Sequence, residues 1–188
     1  PITEDFPVNT TAQQSDYGRN KLICEAFLTN LYREQNFPMT VARFSMVFGP
    51  DNNLINREQR MFIRLLNNRK ILIPGRGSTL SQIGHVDDEA RALRMMARNS
   101  NTYGEIYNVT GKDYFSDEGY VNTCAKVLGV SPDKIFIPSD IMDRMATDVR
   151  QTLIQRLAPY IHPWDHSTIF SIDKLCKHLQ YEPAVSYT

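Results

Sequence analysis

In "SDYGRNKLICEAFL" a tyrosine, Tyr17, stands one helical turn ahead of a lysine, Lys21, at the head of an apolar-periodic run. Residues at that spacing on a helix lie one above the other, so the Lys21 ammonium can sit beside the Tyr17 phenol. A free phenol titrates near pH ~10, too high for a base at neutral pH. A nearby cation lowers that value, because it favours phenolate over phenol. The chemistry open to such a pair is proton exchange with a hydroxyl or a carbonyl. The same spacing also occurs between solvated helix neighbours, so the surrounding elements must decide.

Helical spacing of Ile23, Phe27, Leu28 and Leu31 predicts a helix from Ser15 to Glu34, whose apolar side suits either a core or a dimer seam. Pro38 breaks it, and "MTVARFSMVFG" reads as one strand ending at Gly49-Pro50. A second helix, "REQRMFIRLLNN", turns Met61, Phe62, Leu65 and Leu66 inward and Arg57, Arg60 and Arg64 outward. Next come a strand and Gly-rich turn, "KILIPGRGS", a short strand, "QIGHV", and a helix, "DDEARALRMMARN". Asp87 and Asp88 are expected to cap and charge the start of that helix. "EIYNVTG" and "KIFIP" read as strands, and "SDEGYVNTCAKVLG" as a capped helix closed by Gly129. A helix is expected from Ser139 up to Pro159, then a short strand and short helix in "STIFSIDKLCKHLQYEP". Alternating strands and helices predict an α/β fold with parallel pairing.

The chain has 188 residues and equal numbers of basic and acidic side chains, 21 of each. Zero net charge argues against a general nucleic-acid or membrane-surface binder. No apolar run approaches a membrane span. The acidic, proline-bearing opening "PITEDFPVNTTAQQ" is neither a signal nor a transit peptide and reads as an internal loop. Cys24, Cys124 and Cys176 are odd in number and lack metal spacing, which predicts free, mostly buried thiols in a reducing, cytoplasmic setting. "IHPWDH" places His162, Asp165 and His166 together, but Pro163 opposes the helix a metal pair needs, and no metal site is expected. Trp164 reads as a packing anchor, His85 as a hydrogen-bonded structural histidine, and Met95 and Met96 as packing residues.

Several stretches, in order, resemble the extended short-chain dehydrogenase/reductases, the NAD-dependent epimerase/dehydratase family. "PITEDFPVNTTAQQSDYGRNK" is similar to the loop before that family's YxxxK pair. "TVARFSMVFGPDNN" resembles the following strand, and "GHVDDEARAL" a short strand and Asp-rich helix start. "IYNVTG" and "LQYEP" also fit. The resemblance implies the C-terminal part of a Rossmann-like parallel sheet plus a smaller α/β substrate-binding subdomain. Residues 1–50 are expected in the dinucleotide-binding domain and 51–188 mostly in the substrate subdomain, with about 83–111 returning to the sheet.

The resemblance also implies roles. Tyr17 is the acid/base and, with Lys21, touches NAD or NADP; Lys21 holds the nicotinamide ribose; Phe44, Ser45, Met46 and Val47 flank the nicotinamide. The substrate is a sugar-like or other hydroxyl compound, possibly a nucleotide-sugar. Met46 stands where many nucleotide-sugar members have Asn, and Ser81 where they commonly have a phosphate-pairing Arg, so Arg76, or the helix arginines Arg57, Arg60 and Arg64, are the compensating candidates beside Ser81. A homodimer through the YxxxK helix is implied as well. None of the nine glycines forms the family's Gly-x-x-Gly-x-x-Gly turn. These 188 residues alone are therefore expected neither to bind NAD(P) tightly nor to turn over, and micromolar affinity in calorimetry contradicts that. "PGRGSTLSQIGHVDDEARAL" resembles, too, an atypical branch containing chloroplast stem-loop RNA-binding proteins. That alternative makes the chain an RNA- or nucleotide-binding module without redox activity, contacting phosphates through Arg57, Arg60 and Arg64.

Overall fold

The computed structural model describes residues 1–8, 15–52, 58–145, 149 and 166–186. Its helices and strands run α1 (Asp16–Gln35), β1 (Val41–Phe44), β2 (Met46–Phe48), α2 (Glu58–Leu66), β3 (Ile71–Pro74), β4 (Leu80–His85) and α3 (Val86–Met96). They continue with β5 (Ile106–Val109), β6 (Tyr114–Ser116), α4 (Asp117–Leu128), β7 (Lys134–Ile137), α5 (Ser139–Arg144) and α6 (Asp173–Leu179). Two units emerge. The first comprises Pro1–Phe48, Ile83–Lys112 and Phe170–Val185; the second Gly49–Gln82, Asp113–Ile169 and Ser186–Thr188.

The first unit is built on parallel pairing. β1 runs parallel to β5, with Val41 opposite Ile106 and Phe44 opposite Val109. β2 runs parallel to the end of β4, with Met46 opposite Ile83 and Val47 opposite Gly84. The predicted single strand is thus two, and the break is Ser45. Its N–H still reaches the Val109 carbonyl at 3.2 Å, and from Met46 onward the partner changes to β4. Ala92 and Met96 of α3, Tyr107 and Val109 of β5, Leu175 of α6 and Tyr181 form the buried cluster. Asn108, also buried, staples the chain start: its N–H donates to Glu4 Oε1 at 2.8 Å and its Nδ2 to the Ile2 carbonyl at 3.1 Å.

α1 leaves part of its apolar side open. Ile23 and Phe27 are 64% and 61% exposed, and no residue of the helix is buried. Leu22, Glu25, Leu28, Thr29, Leu31 and Tyr32 are half-buried and recur at helical spacing as one stripe, so Leu28 and Leu31 of the apolar set are covered while Ile23 and Phe27 are not. Tyr32 fixes one end of that stripe against Gly104, where φ is +79° and an added Cβ would lie 2.1 Å from Tyr32 Cε1. A left-handed φ costs a side chain roughly 1–2 kcal/mol and overpacking roughly 1–3. Gly104→Ala is expected to lose about 2–5 kcal/mol, read as a lower urea midpoint at unchanged slope.

In the second unit β3 pairs parallel with β7. Leu80–Gln82 pairs antiparallel with β6, an exception to the all-parallel expectation. α2 packs against α4. Met61 and Leu65, one turn apart, are buried, whereas Leu66 is exposed: the next residue rotates out of a two-residue stripe. Ser116 and Gly129 cap α4 as the sequence predicts; Ser116 Oγ accepts from the Gly119 N–H and Gly129 is left-handed at φ 67°. In the stretch expected to be helical up to Pro159, α5 ends at Arg144, where Met145 turns extended; Val149 is helical again, and the rest of that stretch lies outside the described residues. Beyond it, His162, Trp164 and Asp165 lie outside the described residues, as does Arg57. All three thiols are free, but Cys24 is exposed, because it lies on the open side of α1.

Candidate functional site

Ser15 starts α1 by accepting from the Gly18 N–H at 3.2 Å, and this puts Tyr17 and Lys21 in the first turns of a regular helix. Lys21 Nζ stands 5.4 Å from the centroid of the Tyr17 ring. That is cation–π range, with both side chains facing solvent. Tyr17 is 73% exposed. Its hydroxyl makes no hydrogen bond, and Lys21 no ion pair, among the described residues.

The helix is fixed to the strand by a pair that the sequence reading treated only as a motif letter. Arg43 Nε donates to Glu25 Oε2 at 3.1 Å and its Nη2 to Glu25 Oε1. Nη1 donates to the Glu4 carbonyl at 3.0 Å. A half-buried bidentate pair of this kind sets angle as well as distance. Phe44, next in the chain, is exposed; Ser45, Met46 and Val47 are half-buried. Ser45 Oγ is hydrogen-bonded to Thr110 Oγ1. The Tyr–Lys helix and the 44–47 backbone therefore belong to one unit and share an anchor at Arg43.

Arg76 and Ser81 lie in the second unit. Arg76 is exposed at a turn between Gly75 (φ 57°) and Gly77 (φ 67°). Ser81 is 1% exposed, opposite Phe115, and its Oγ has no hydrogen-bond partner among the described residues.

The α3 start corrects the capping expectation. His85 is the cap, its Nδ1 accepting from the Asp87 N–H at 3.3 Å. Asp88 is buried and turned toward the last described segment. Its two oxygens accept from the Ala184 N–H at 2.9 Å and the Val185 N–H at 2.8 Å, and Arg91 Nη2 donates to Oδ1 at 2.7 Å. Burial pushes the Asp88 carboxyl up, but the Ala184 N–H, Arg91 and the Val185 N–H together hold it below the ordinary value. Glu89, next to it, is equally buried and has no such partners. Burial, then the Asp88 charge, pushes its carboxyl up to about 8. Nothing in "DDEARAL" separates these two acids. Among the described residues, no group of three or more His, Cys, Asp and Glu could hold a metal ion. Nor is any helix there long and apolar enough to cross a membrane.

Known proteins resemble this chain over part of their length. A chloroplast stem-loop binding protein of 41 kDa from Arabidopsis thaliana is 33% identical over 107 residues, covering 56% of the chain and 28% of that protein. A probable dTDP-glucose 4,6-dehydratase of Sinorhizobium fredii is 28% identical over 114 residues, 61% of the chain and 32% of its own length. Among solved structures, a UDP-glucuronic acid 4-epimerase from Bacillus cereus in complex with NAD superimposes with TM-score 0.70 at 22% identity, covering 98% of the chain and 50% of that one. A dTDP-glucose 4,6-dehydratase from Bacillus anthracis, also with NAD, gives 0.72 at 19%, covering 99% and 51%. These structures support the α/β Rossmann-like fold, and the chain spans about half their length. The model of the NAD dependent epimerase/dehydratase family matches residues 1–110, more than half of the chain, and the chain belongs to that family.

Proposed function

We propose that this chain supplies the proton-transfer pair of an NAD-dependent epimerase or dehydratase acting on a nucleotide-activated sugar. The observation that carries this reading is the Lys21 ammonium 5.4 Å over an exposed Tyr17 ring. The donor set suits a nicotinamide ribose: the ammonium has three donors and is not consumed by an ion pair among the described residues. NAD, when bound, supplies the hydride acceptor. Tyr17 exchanges a proton at its phenolic oxygen with the substrate hydroxyl or carbonyl. Lys21 donates to the ribose hydroxyls, and Phe44, Ser45, Met46 and Val47 flank the ring. Arg76, with an exposed guanidinium, and Ser81, whose buried hydroxyl has no hydrogen-bond partner among the described residues, are the candidate substrate residues of the second unit. A solved relative at 24% identity is a UDP-glucuronic acid 4-epimerase complexed with UDP-glucuronic acid and NAD, which supports the nucleotide-sugar class. Because these residues alone are expected to be inactive, the test is product formation from UDP- and dTDP-sugars with NAD, followed by NMR, by a protein that joins them to a Gly-rich dinucleotide-binding strand, turn and helix. Absence of turnover on every nucleotide-sugar overturns the reading.

The exposed Ile23 and Phe27 on the Tyr–Lys helix suit a homodimer seam. Phe27→Asp is expected to shift a dimer to monomer in sedimentation equilibrium without lowering the melting temperature of the monomer. An unchanged mass at micromolar concentration rejects that seam.

A second reading is favoured by the stem-loop binding relative at 33% identity. Under it, Arg60 and Arg64 meet RNA phosphates. Arg64 already donates to the Lys70 carbonyl and Arg60 is half-buried, so this face is partly engaged. Filter binding at two salt concentrations separates the readings: affinity that falls steeply with salt supports RNA binding.

A further inference from the structure

Gly84 and Glu89 are matched in space. A Cβ on Gly84 would lie 2.0 Å from Glu89 Oε1 and 2.9 Å from Glu89 Cδ, so the carboxyl occupies the notch that the missing side chain leaves. Glu89 is 4% exposed, and Oε1 is buried with no hydrogen-bond partner among the described residues. An ionised carboxylate in that position is strongly disfavoured, whereas a neutral acid packs there as a near-apolar group.

Around it, titratable groups are few or already engaged. On α3 the charges besides Glu89 are Asp87 and Arg94, both exposed, Asp88, and Arg91, which is bound to Asp88. On β4, His85 accepts from the Asp87 N–H. The β2 residues Met46, Val47 and Phe48 carry no titratable group. After β5, Lys112 pairs with Glu182 at 3.3 Å. Tyr181 feels the Glu89 charge weakly, and its hydroxyl donates to the Asp88 carbonyl at 3.1 Å. Among the described residues no cation compensates Glu89, and the charge of Asp88 opposes its ionisation.

Asp88 is also the clasp of residues 181–185 through the Ala184 and Val185 amides. We propose that Glu89 is a proton-operated latch: in its neutral form it seats in the Gly84 notch and holds the first turn of α3, and with it the 181–185 strap, on the sheet. Loss of the proton lets the turn and the strap come away together. In the open state the carboxyl is solvated and ionises near its ordinary 4.5, while in the closed state it stays protonated to about 8. One proton is then released on opening throughout that window, so the opening equilibrium grows about tenfold per pH unit.

The test is amide hydrogen exchange at Ala184 and Val185 in the intact protein, corrected for intrinsic base catalysis, between pH 5.5 and 8.5. The parent is expected to lose protection about tenfold per unit and level off above pH ~8. Glu89→Gln keeps the shape without the proton and is expected to flatten the profile. Glu89→Leu, which fills the notch with apolar atoms, is expected to flatten it at higher protection. A parent profile already flat, or the same slope in either variant, overturns the latch.

Discussion

In a protein that joins these residues to a Gly-rich dinucleotide-binding turn, Tyr17→Phe is expected to lower turnover by about 10²–10⁴-fold, the range for removing one positioned acid/base group. The variant keeps the ring beside Lys21 and deletes only the hydroxyl. That hydroxyl makes no hydrogen bond among the described residues, and the side chain is mostly exposed, so the fold does not depend on it. Stability is therefore expected to stay within about 0.5 kcal/mol of the parent. Loss of turnover at constant stability and nearly constant substrate KM identifies a group used in the chemical step. Full turnover by Tyr17→Phe removes the proton-transfer role. A fall that tracks unfolding instead assigns Tyr17 to structure.

For Asp88→Ala the expected change is in stability: a loss of about 3–5 kcal/mol, as when one partner of a buried charged network is removed. Three donors lose their acceptor at once, namely the Ala184 N–H, the Val185 N–H and Arg91. Buried amides left unpaired carry their own desolvation penalty. Arg91 retains its bond to the Glu182 carbonyl and its place 4.7 Å over the Tyr181 ring, so the loss should concentrate in residues 184 and 185. Acid reads out the same network. The Asp88 carboxyl lies below 3.8 when folded, so the folded state binds its proton less readily than the unfolded state. Its stabilisation is complete above pH ~3.8 and is lost as pH falls through the folded value. Asp88→Ala should therefore show less acid destabilisation than the parent in urea titrations between pH 5 and 2, and an identical slope dismisses the network. Glu89 works in the opposite sense, since its folded carboxyl holds the proton up to about 8. Adjacent acids thus make the first unit sensitive at both ends of the pH range.

Much of the local structure was legible in the sequence. Ser15, Ser116 and Gly129 cap helices as their chemistry dictates, and the Gly75–Gly77 pair turns where the glycines stand. The Tyr17–Lys21 spacing on a helix brings the two side chains within cation–π range, as helical geometry requires. Phe170–Val185 joins the first unit through Asn108, Leu175 and the Asp88 clasp, and no local pattern announces such partners. Leu66 and Cys24 were misread because an apolar residue on a helix says nothing of which neighbour, if any, covers it.

By itself, the sequence determined whatever depends on residues within a turn or two of one another: caps, glycine turns, helix spacing and the alternation that makes the fold α/β. Tertiary structure alone decided where α1 leaves Ile23 and Phe27 open, why the long strand changes partner at Ser45, and why Asp88 stays charged while Glu89 does not. The reason is that burial and hydrogen-bond partners set those outcomes. Here the partners of Asp88 come from the far end of the described chain, while the space for Glu89 comes from a strand that has no side chain at Gly84.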